Sequence, residues 1–117
     1  MKKIYSMMID YSLSKVFDEE IEKYSMKRST ALSILMKHFN VTFAGDGEKV
    51  KEFVLLPVLS VPEYGSEQKR VSLSVDEEVS FQFFKVLGSM KQKGALEKLI
   101  TYFLNLSDDE KYNVLFG

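Results

Sequence analysis

Residues able to do chemistry are few and scattered. His38 is the only histidine, and it falls late in a predicted helix, where a cation suits the negative end of the helix dipole. The segment from Gly45 to Gly47 lacks the Lys-Ser/Thr pair that follows a phosphate-binding loop. The chain has no cysteine to act as a nucleophile or a thiolate ligand. We therefore expect no enzyme activity, no cofactor and no metal site.

Two acidic runs are the other candidates for catalysis, Asp18 to Glu20 and Asp76 to Glu78. Both fall in the first turns of a predicted helix or on its outer face. Carboxylates in such places are usually solvated or stabilise the helix dipole. The acidic runs therefore do not change the expectation.

Composition is that of an ordinary globular domain. The chain has 117 residues, of which 45% are hydrophobic and 28% charged. Asp10 interrupts the apolar start too early for a secretion signal. No apolar stretch approaches the roughly 18 residues of a membrane span. We expect a cytoplasmic protein without a membrane partner.

The charge is unevenly distributed around a net value of −1. Residues 1–39 hold seven Lys/Arg and five Asp/Glu, and residues 70–106 hold five and four. The segment 40–69 holds three and five, and the tail 107–117 holds one and three. The two basic segments permit nucleic-acid binding but do not demand it.

An internal repeat organises the chain. Two short segments alternate as half-buried strands do, with apolar residues at Tyr5, Met7, Ile9 and at Val71, Leu73, Val75. Each segment ends at an aspartate, Asp10 or Asp76, a residue type that caps helix N-termini. Helical periodicity follows at Leu13, Phe17, Ile21, Tyr24 and at Val79, Phe83, Leu87, Met90. Each residue of the first copy is 66 positions before its counterpart.

A second helix is predicted in each copy. Its apolar positions are Leu32, Leu35, Met36, Phe39 and Leu96, Leu99, Ile100, Phe103, now 64 positions apart. A turn two residues shorter between Met90 and Leu96 explains the change. Units of about forty residues are near the lower limit for independent folding, so the two strands should pair over four packed helices. We predict a mainly α fold with a short two-stranded antiparallel ribbon, in one compact domain.

The connector 40–69 allows two interpretations. A helix could begin at Asp46 and stop before Pro57, or residues 41–43 and 50–53 could form a hairpin. We favour the helix. The apolar stretch from Phe53 to Leu59 should pack on the helices, or else offer a surface to a partner. Residues 61–69, with Pro62 and Gly65, have the composition of a flexible hinge.

The tail 107–117 begins with a capping-box pattern, Ser107 followed three residues later by Glu110. This pattern predicts a short helix that carries Tyr112, Leu115 and Phe116. We expect the helix to dock on its own core, and the alternative is a contact with another protein or subunit.

The two copies resemble the ribbon-helix-helix family. The segments that carry the resemblance are Ile4 to Asp10, Ser25 to Leu32 and Arg70 to Asp76. Members are usually homodimers whose two-stranded ribbon enters the DNA major groove, while the second helix holds a phosphate at its N-terminus. The resemblance implies a tandem, single-chain pseudo-dimer that binds double-stranded DNA. Its architecture is similar to that of tandem accessory proteins of conjugative DNA processing, so a transcriptional regulator or a DNA-processing accessory factor is expected.

Base-reading positions follow from the same resemblance. In the second strand they are Arg70, Ser72 and Ser74, which are able to bond base edges. In the first strand they are Ile4, Ser6 and Met8. Ile4 and Met8 depart from the family pattern because they cannot form such hydrogen bonds, although they can touch thymine methyl groups. This difference implies an asymmetric DNA site.

Phosphate-binding positions are implied at the start of each second helix. They are Lys27, Arg28, Ser29, Thr30 and Lys91, Lys93, Gly94. Lys2 and Lys3 could follow the DNA backbone as a flexible arm. The competing interpretation makes Ser29 an ordinary N-cap and the lysines solvated turn residues.

A protein-interaction module on the same fold is the alternative function. The near-neutral charge and the apolar pair Ile4 and Met8 motivate it. The sequence leaves open whether the halves pair within one chain or between chains, and whether chains assemble further on DNA.

Overall fold

The computed structural model describes residues 1–59, 67–88 and 90–117. These residues form a mainly helical fold with one two-stranded antiparallel sheet, as predicted. In chain order the elements are β1 (Lys2–Asp10), α1 (Tyr11–Glu22), α2 (Arg28–Thr42), α3 (Gly47–Leu55), β2 (Gln68–Asp76), α4 (Glu77–Val86), α5 (Gln92–Leu104) and α6 (Asp108–Phe116). None of the described helices is long and apolar enough to cross a membrane.

The ribbon pairs β1 with β2 along their whole length. Lys2 lies opposite Asp76, and Asp10 lies opposite Gln68. At the centre Ser6 faces Ser72, the residue 66 positions further along the chain. Alternation along both strands sends the apolar side chains to one face, as predicted: Tyr5, Met7, Ile9, Val71, Leu73 and Val75 are all buried.

Each strand passes directly into a helix through its terminal aspartate. Asp10 accepts a hydrogen bond from the backbone N–H of Leu13 at 3.0 Å. Asp76 accepts one from the N–H of Glu78 at 3.0 Å. The hydroxyl of Ser12, 2.6 Å from the Asp10 carboxylate, lowers the pKa of Asp10. These caps fix the strand-to-helix corners, as the sequence predicted.

The helices exchange partners between the two halves of the chain. The second helix of the first half, α2, packs against β2 and α4, whereas α5 packs against β1 and α1. The apolar positions predicted for α2 and α5 are all buried: Leu32, Leu35, Met36, Phe39, Leu96, Leu99, Ile100 and Phe103. Because each half covers the strand of the other, the two halves share one core and neither buries its strand by itself.

Aromatic rings fill much of this core. Phe39 contacts Phe53, Phe83 and Phe43, with ring centroids 4.8, 5.1 and 5.3 Å away. Phe17 and Phe103 meet edge-on at 5.7 Å. Phe39 and Phe43 are stacked, whereas the other three pairs meet edge-to-face, an arrangement that suits the ring quadrupoles.

The connector contains a helix, α3, and not the alternative hairpin. Asp46 caps it by accepting from the N–H of Glu48 at 3.1 Å. Phe53 is buried, but Leu55 and Val58 are exposed. The packing expected of this apolar stretch is therefore only partial. Of the expected hinge, residues 61–66 with Pro62 and Gly65 lie outside the described residues, and Lys69 belongs to β2.

The tail forms α6 behind a complete capping box between Ser107 and Glu110. Leu115 is buried in the core, and Lys111 Nζ lies 3.1 Å from Glu20 Oε2 of α1. Tyr112 and Phe116 remain about half exposed and contact each other at 5.0 Å. The helix docks on its own chain, with one aromatic edge left in solvent.

Candidate nucleic-acid interface

The outward face of the ribbon carries all six side chains implied for base reading. Ile4, Ser6, Met8, Arg70, Ser72 and Ser74 are exposed. Ile4 is 76% exposed and Met8 is 39% exposed. These six central side chains are three hydroxyls, one guanidinium and two apolar groups, so the centre of the face offers hydrogen bonds mainly from β2 and apolar contact mainly from β1. The same face carries Lys2 and Asp76 at one end and Asp10 and Gln68 at the other.

Arg70 is held across the ribbon. Its Nη1 donates to Ser6 Oγ at 3.1 Å. Arg70 lies opposite Met8 in the register, so this bond runs diagonally towards the centre of the ribbon. The bond restricts an otherwise mobile side chain on the exposed face.

The two second helices begin without a side-chain cap. Lys27 is the N-cap of α2 and Lys91 the N-cap of α5, and neither forms a side-chain capping bond. The other helices of the described chain are capped by Asp10, Asp46, Asp76 and Ser107. The first backbone N–H groups of α2 and α5 consequently keep their capacity to bind an anion.

Lys27 and Lys91 occupy equivalent places in the repeat, 64 positions apart. Both are exposed, and neither belongs to an ion pair among the described residues. A cation and free N–H groups therefore coincide at both helix starts. Thr30 is exposed in the first turn of α2, and Gly94 is half-buried in the first turn of α5.

Ser29 is not the N-cap of α2, so that interpretation of the sequence is wrong. Its Oγ accepts from the backbone N–H of Ser74 at 3.1 Å and lies 3.4 Å from the Ser74 carbonyl oxygen. Ser33 Oγ donates to the same carbonyl at 3.3 Å. These bonds satisfy the backbone groups of Ser74 on the open edge of β2 and place the start of α2 beside the ribbon.

Glu97 makes a comparable contact with β1, and nothing in its sequence context marked it as a site residue. Its carboxylate accepts from the backbone N–H of Asp10 at 2.9 Å and from Lys93 Nζ at 3.2 Å. Glu97 stands 64 positions after Ser33, but its partner Asp10 is not the repeat counterpart of Ser74, so the repeat did not predict this bond. Lys93 thus has its charge engaged by a carboxylate.

Arg28, like Lys93, forms an ion pair with a carboxylate. Its guanidinium bonds the Asp18 carboxylate through Nε at 2.8 Å and through Nη2. This carboxylate raises the pKa of Arg28, against the opposing effect of burial. Of the implied phosphate ligands, Arg28 and Lys93 are paired and Lys27 and Lys91 are available.

Lys2 and Lys3 do not form a flexible arm, which corrects the expectation. They belong to β1 and lie opposite Asp76 and Val75. Beside this end of the ribbon the Glu77 N–H donates to the Met1 carbonyl at 2.9 Å. Lys3 Nζ rests 5.2 Å from the centre of the Tyr5 ring.

Positive charge is concentrated around the ribbon. The two strands and the first residues of the second helices (2–10, 68–76, 27–30 and 91–94) hold eight of the 16 Lys/Arg but only two of the 17 Asp/Glu. The remaining residues are therefore strongly acidic. Even after the pairing of Arg28 and Lys93 the ribbon end keeps a positive excess, which the net charge of −1 conceals.

His38 lies away from this surface, near the end of α2. Its Nε2 is 3.0 Å from the Tyr102 hydroxyl, and the two rings stack at 5.8 Å. Burial lowers the pKa of His38. Among the described residues no three His, Cys, Asp or Glu side chains converge as metal ligands would.

Comparison with known proteins finds no match for this chain among protein-family models, curated proteins or solved structures.

Proposed function

We propose that the chain is a tandem ribbon-helix-helix protein that acts as a single-chain pseudo-dimer. The register supports this, because residues 66 positions apart in sequence meet at the ribbon centre as Ser6 and Ser72. A two-fold axis through that pair exchanges the two strands. The exchange of helix partners, α2 with β2 and α5 with β1, has the same symmetry.

The proposed activity is binding of double-stranded DNA, with the ribbon in the major groove. The observation that carries it is the exposed ribbon accompanied by two uncapped, lysine-bearing helix starts. The strands would contact base edges. The N–H groups of α2 and α5, with Lys27 and Lys91, would hold phosphates. We propose that the protein acts in the cytoplasm as a transcriptional regulator or a DNA-processing accessory factor.

The experiment is a titration of labelled random-sequence duplex, followed by fluorescence anisotropy, at about 50 mM and about 200 mM salt. Wild-type protein should bind, and its affinity should fall steeply with salt. Lys27→Ala/Lys91→Ala should flatten the salt dependence by about 1.8 in log–log slope, since each lost phosphate contact removes about 0.9.

A charge-matched control is Lys49→Ala/Lys51→Ala, which removes two exposed lysines of α3. Its salt dependence should equal that of wild type. Absence of salt-sensitive affinity for any duplex would refute DNA binding. Equal losses in the two double variants would show that general charge, and not the helix starts, provides the contact.

A protein-interaction module is the second candidate, favoured by the exposed apolar side chains of Ile4 and Met8 on the ribbon. Such a module would retain its partner after neutralisation of Arg70, Lys27 and Arg28. It would lose the partner after Ile4→Ser/Met8→Ser. The DNA-binding proposal instead expects the larger loss of duplex affinity in the triple variant and a smaller loss in Ile4→Ser/Met8→Ser.

A further inference from the structure

The outward face of the ribbon differs on the two sides of its central serine pair. On one side Met8 lies opposite Arg70, and on the other Ile4 lies opposite Ser74. The offset of 66 residues makes Arg70 the counterpart of Ile4, and Ser74 the counterpart of Met8. A symmetric backbone therefore presents a guanidinium at one position and an alkyl group at the equivalent position across the axis.

The unlike strands already imply an asymmetric DNA site, and from the register we infer the base chemistry of its halves: one half-site presents a guanine to Arg70, and the symmetry-related position of the other presents a thymine methyl group to Ile4. The inference rests on the proposed DNA binding and adds the base chemistry of each half-site.

The guanine half follows from the chemistry and placement of Arg70. Guanine offers two acceptors, O6 and N7, in the major groove, and a guanidinium can bond both. The bond of Arg70 Nη1 to Ser6 Oγ at 3.1 Å leaves the other guanidinium N–H groups for a base. The aliphatic Met8 opposite Arg70 supplies no competing carboxylate.

The thymine half follows from Ile4. This side chain is 76% exposed, so the core gains little from it in the free protein. It has no hydrogen-bonding atom, and thymine is the base that presents a methyl group in the major groove. Contact would remove both alkyl groups from water, and one buried methyl group corresponds to about fourfold in affinity. Ser74 opposite it can bond an adjacent base edge as donor or acceptor.

The experiment begins with selection of binding sequences from a random duplex library by the full-length chain. The selected duplex is then remade with 7-deazaguanine, which lacks N7, and separately with uracil, which lacks the thymine methyl. Deazaguanine in the first half-site should weaken wild type about tenfold and leave Arg70→Ala unaffected. Uracil in the second half-site should weaken wild type about fourfold and weaken Ile4→Ala less, because alanine keeps only one methyl group for the contact.

A gain-of-function variant completes the test. Ile4→Arg should select a guanine in both half-sites and thus a near-palindrome. Because the modified duplexes leave the protein unchanged, the wild-type arms do not depend on the folding of any variant. Selection of a palindrome by wild type, or no loss with uracil, would overturn this inference while DNA binding stands. Failure to bind any duplex would overturn the proposed function and this inference with it.

Discussion

The guanidinium of Arg28 at the start of α2 donates hydrogen bonds from two of its nitrogens to the carboxylate of Asp18 on α1. The pair closes the corner between the first two helices. It also places a carboxylate beside one of the two helix starts proposed to hold phosphate. Asp18 should therefore oppose the proposed DNA binding at this corner while it supports the fold.

Replacing Asp18 by Asn should separate these two effects. The side chains of Arg28 and Asp18 are 23% and 34% exposed, so solvent screens the pair and its loss should cost on the order of 0.5–1 kcal/mol of unfolding free energy. Affinity for random duplex at low salt should rise, since Arg28 is then free to meet a phosphate. Urea unfolding and anisotropy measure the two changes. Glu22→Gln, an exposed charge change on the same helix, is the matched control, and a parallel fall in both quantities would contradict the prediction.

The apolar pattern made the elements predictable from sequence, because burial repeats every second residue in a strand and every third or fourth in a helix. Leu13, Phe17 and Ile21 are buried as their spacing indicated. The aspartate caps that follow the strands were predictable for a similar reason, since Asp10 bonds a residue only three positions away; the N-cap expected at Ser29 was not found. Information that is local in sequence was sufficient for these features.

The partners of polar side chains were not predictable, because they depend on which elements cross in space. Ser29 bonds Ser74, which is 45 positions away, and Glu97 bonds Asp10, which is 87 positions away. That Asp18 pairs with Arg28, and not with the adjacent Lys27, was visible only in the structure. The outward side chains of the ribbon were identified from alternation alone. Their division into two unlike half-faces needed the register.

Lys27→Ser should raise the free energy of unfolding and lower the affinity for DNA. Lys27 has the extended backbone of an N-cap, with φ −85° and ψ 152°, but makes no side-chain cap. A serine there can bond the free N–H groups of the first turn and should raise the free energy of unfolding by about 1 kcal/mol. The same change removes a cation and covers the anion site, so duplex affinity should fall. Lys51→Ser on α3 should lose affinity less and gain no stability; a stabilised variant with full affinity would argue against phosphate binding at α2.

Phe39→Ala should be among the most damaging single changes to the fold. The ring is fully buried and contacts Phe53 of α3, Phe83 of α4 and Phe43 at the end of α2. Its loss should cost about 3–5 kcal/mol through lost transfer energy and a cavity. Denaturant unfolding gives this number. Phe81→Ala is the control because Phe81 is 66% exposed and should change stability by less than about 0.5 kcal/mol. Similar costs for both would contradict the described core.

Stability should fall as the pH drops from about 7.5 to about 5.5, and His38 should be responsible. Burial lowers the pKa of His38 below its ordinary value of 6.5 in the folded chain, so the unfolded chain binds this proton more readily. The stability that neutral His38 contributes is therefore complete above about pH 6.5 and is lost as the pH falls through its pKa in the folded chain. The hydrogen bond from Ser12 lowers the pKa of Asp10, and hydrogen bonds from Lys23 and Lys111 outweigh burial and lower the pKa of Glu20. The stability that these two carboxylates contribute is therefore lost only in more acidic solution. His38→Gln, which keeps a hydrogen-bonding group near Tyr102 without the titration, should show equal urea midpoints at the two pH values. An unchanged pH dependence in that variant would assign the effect to another group.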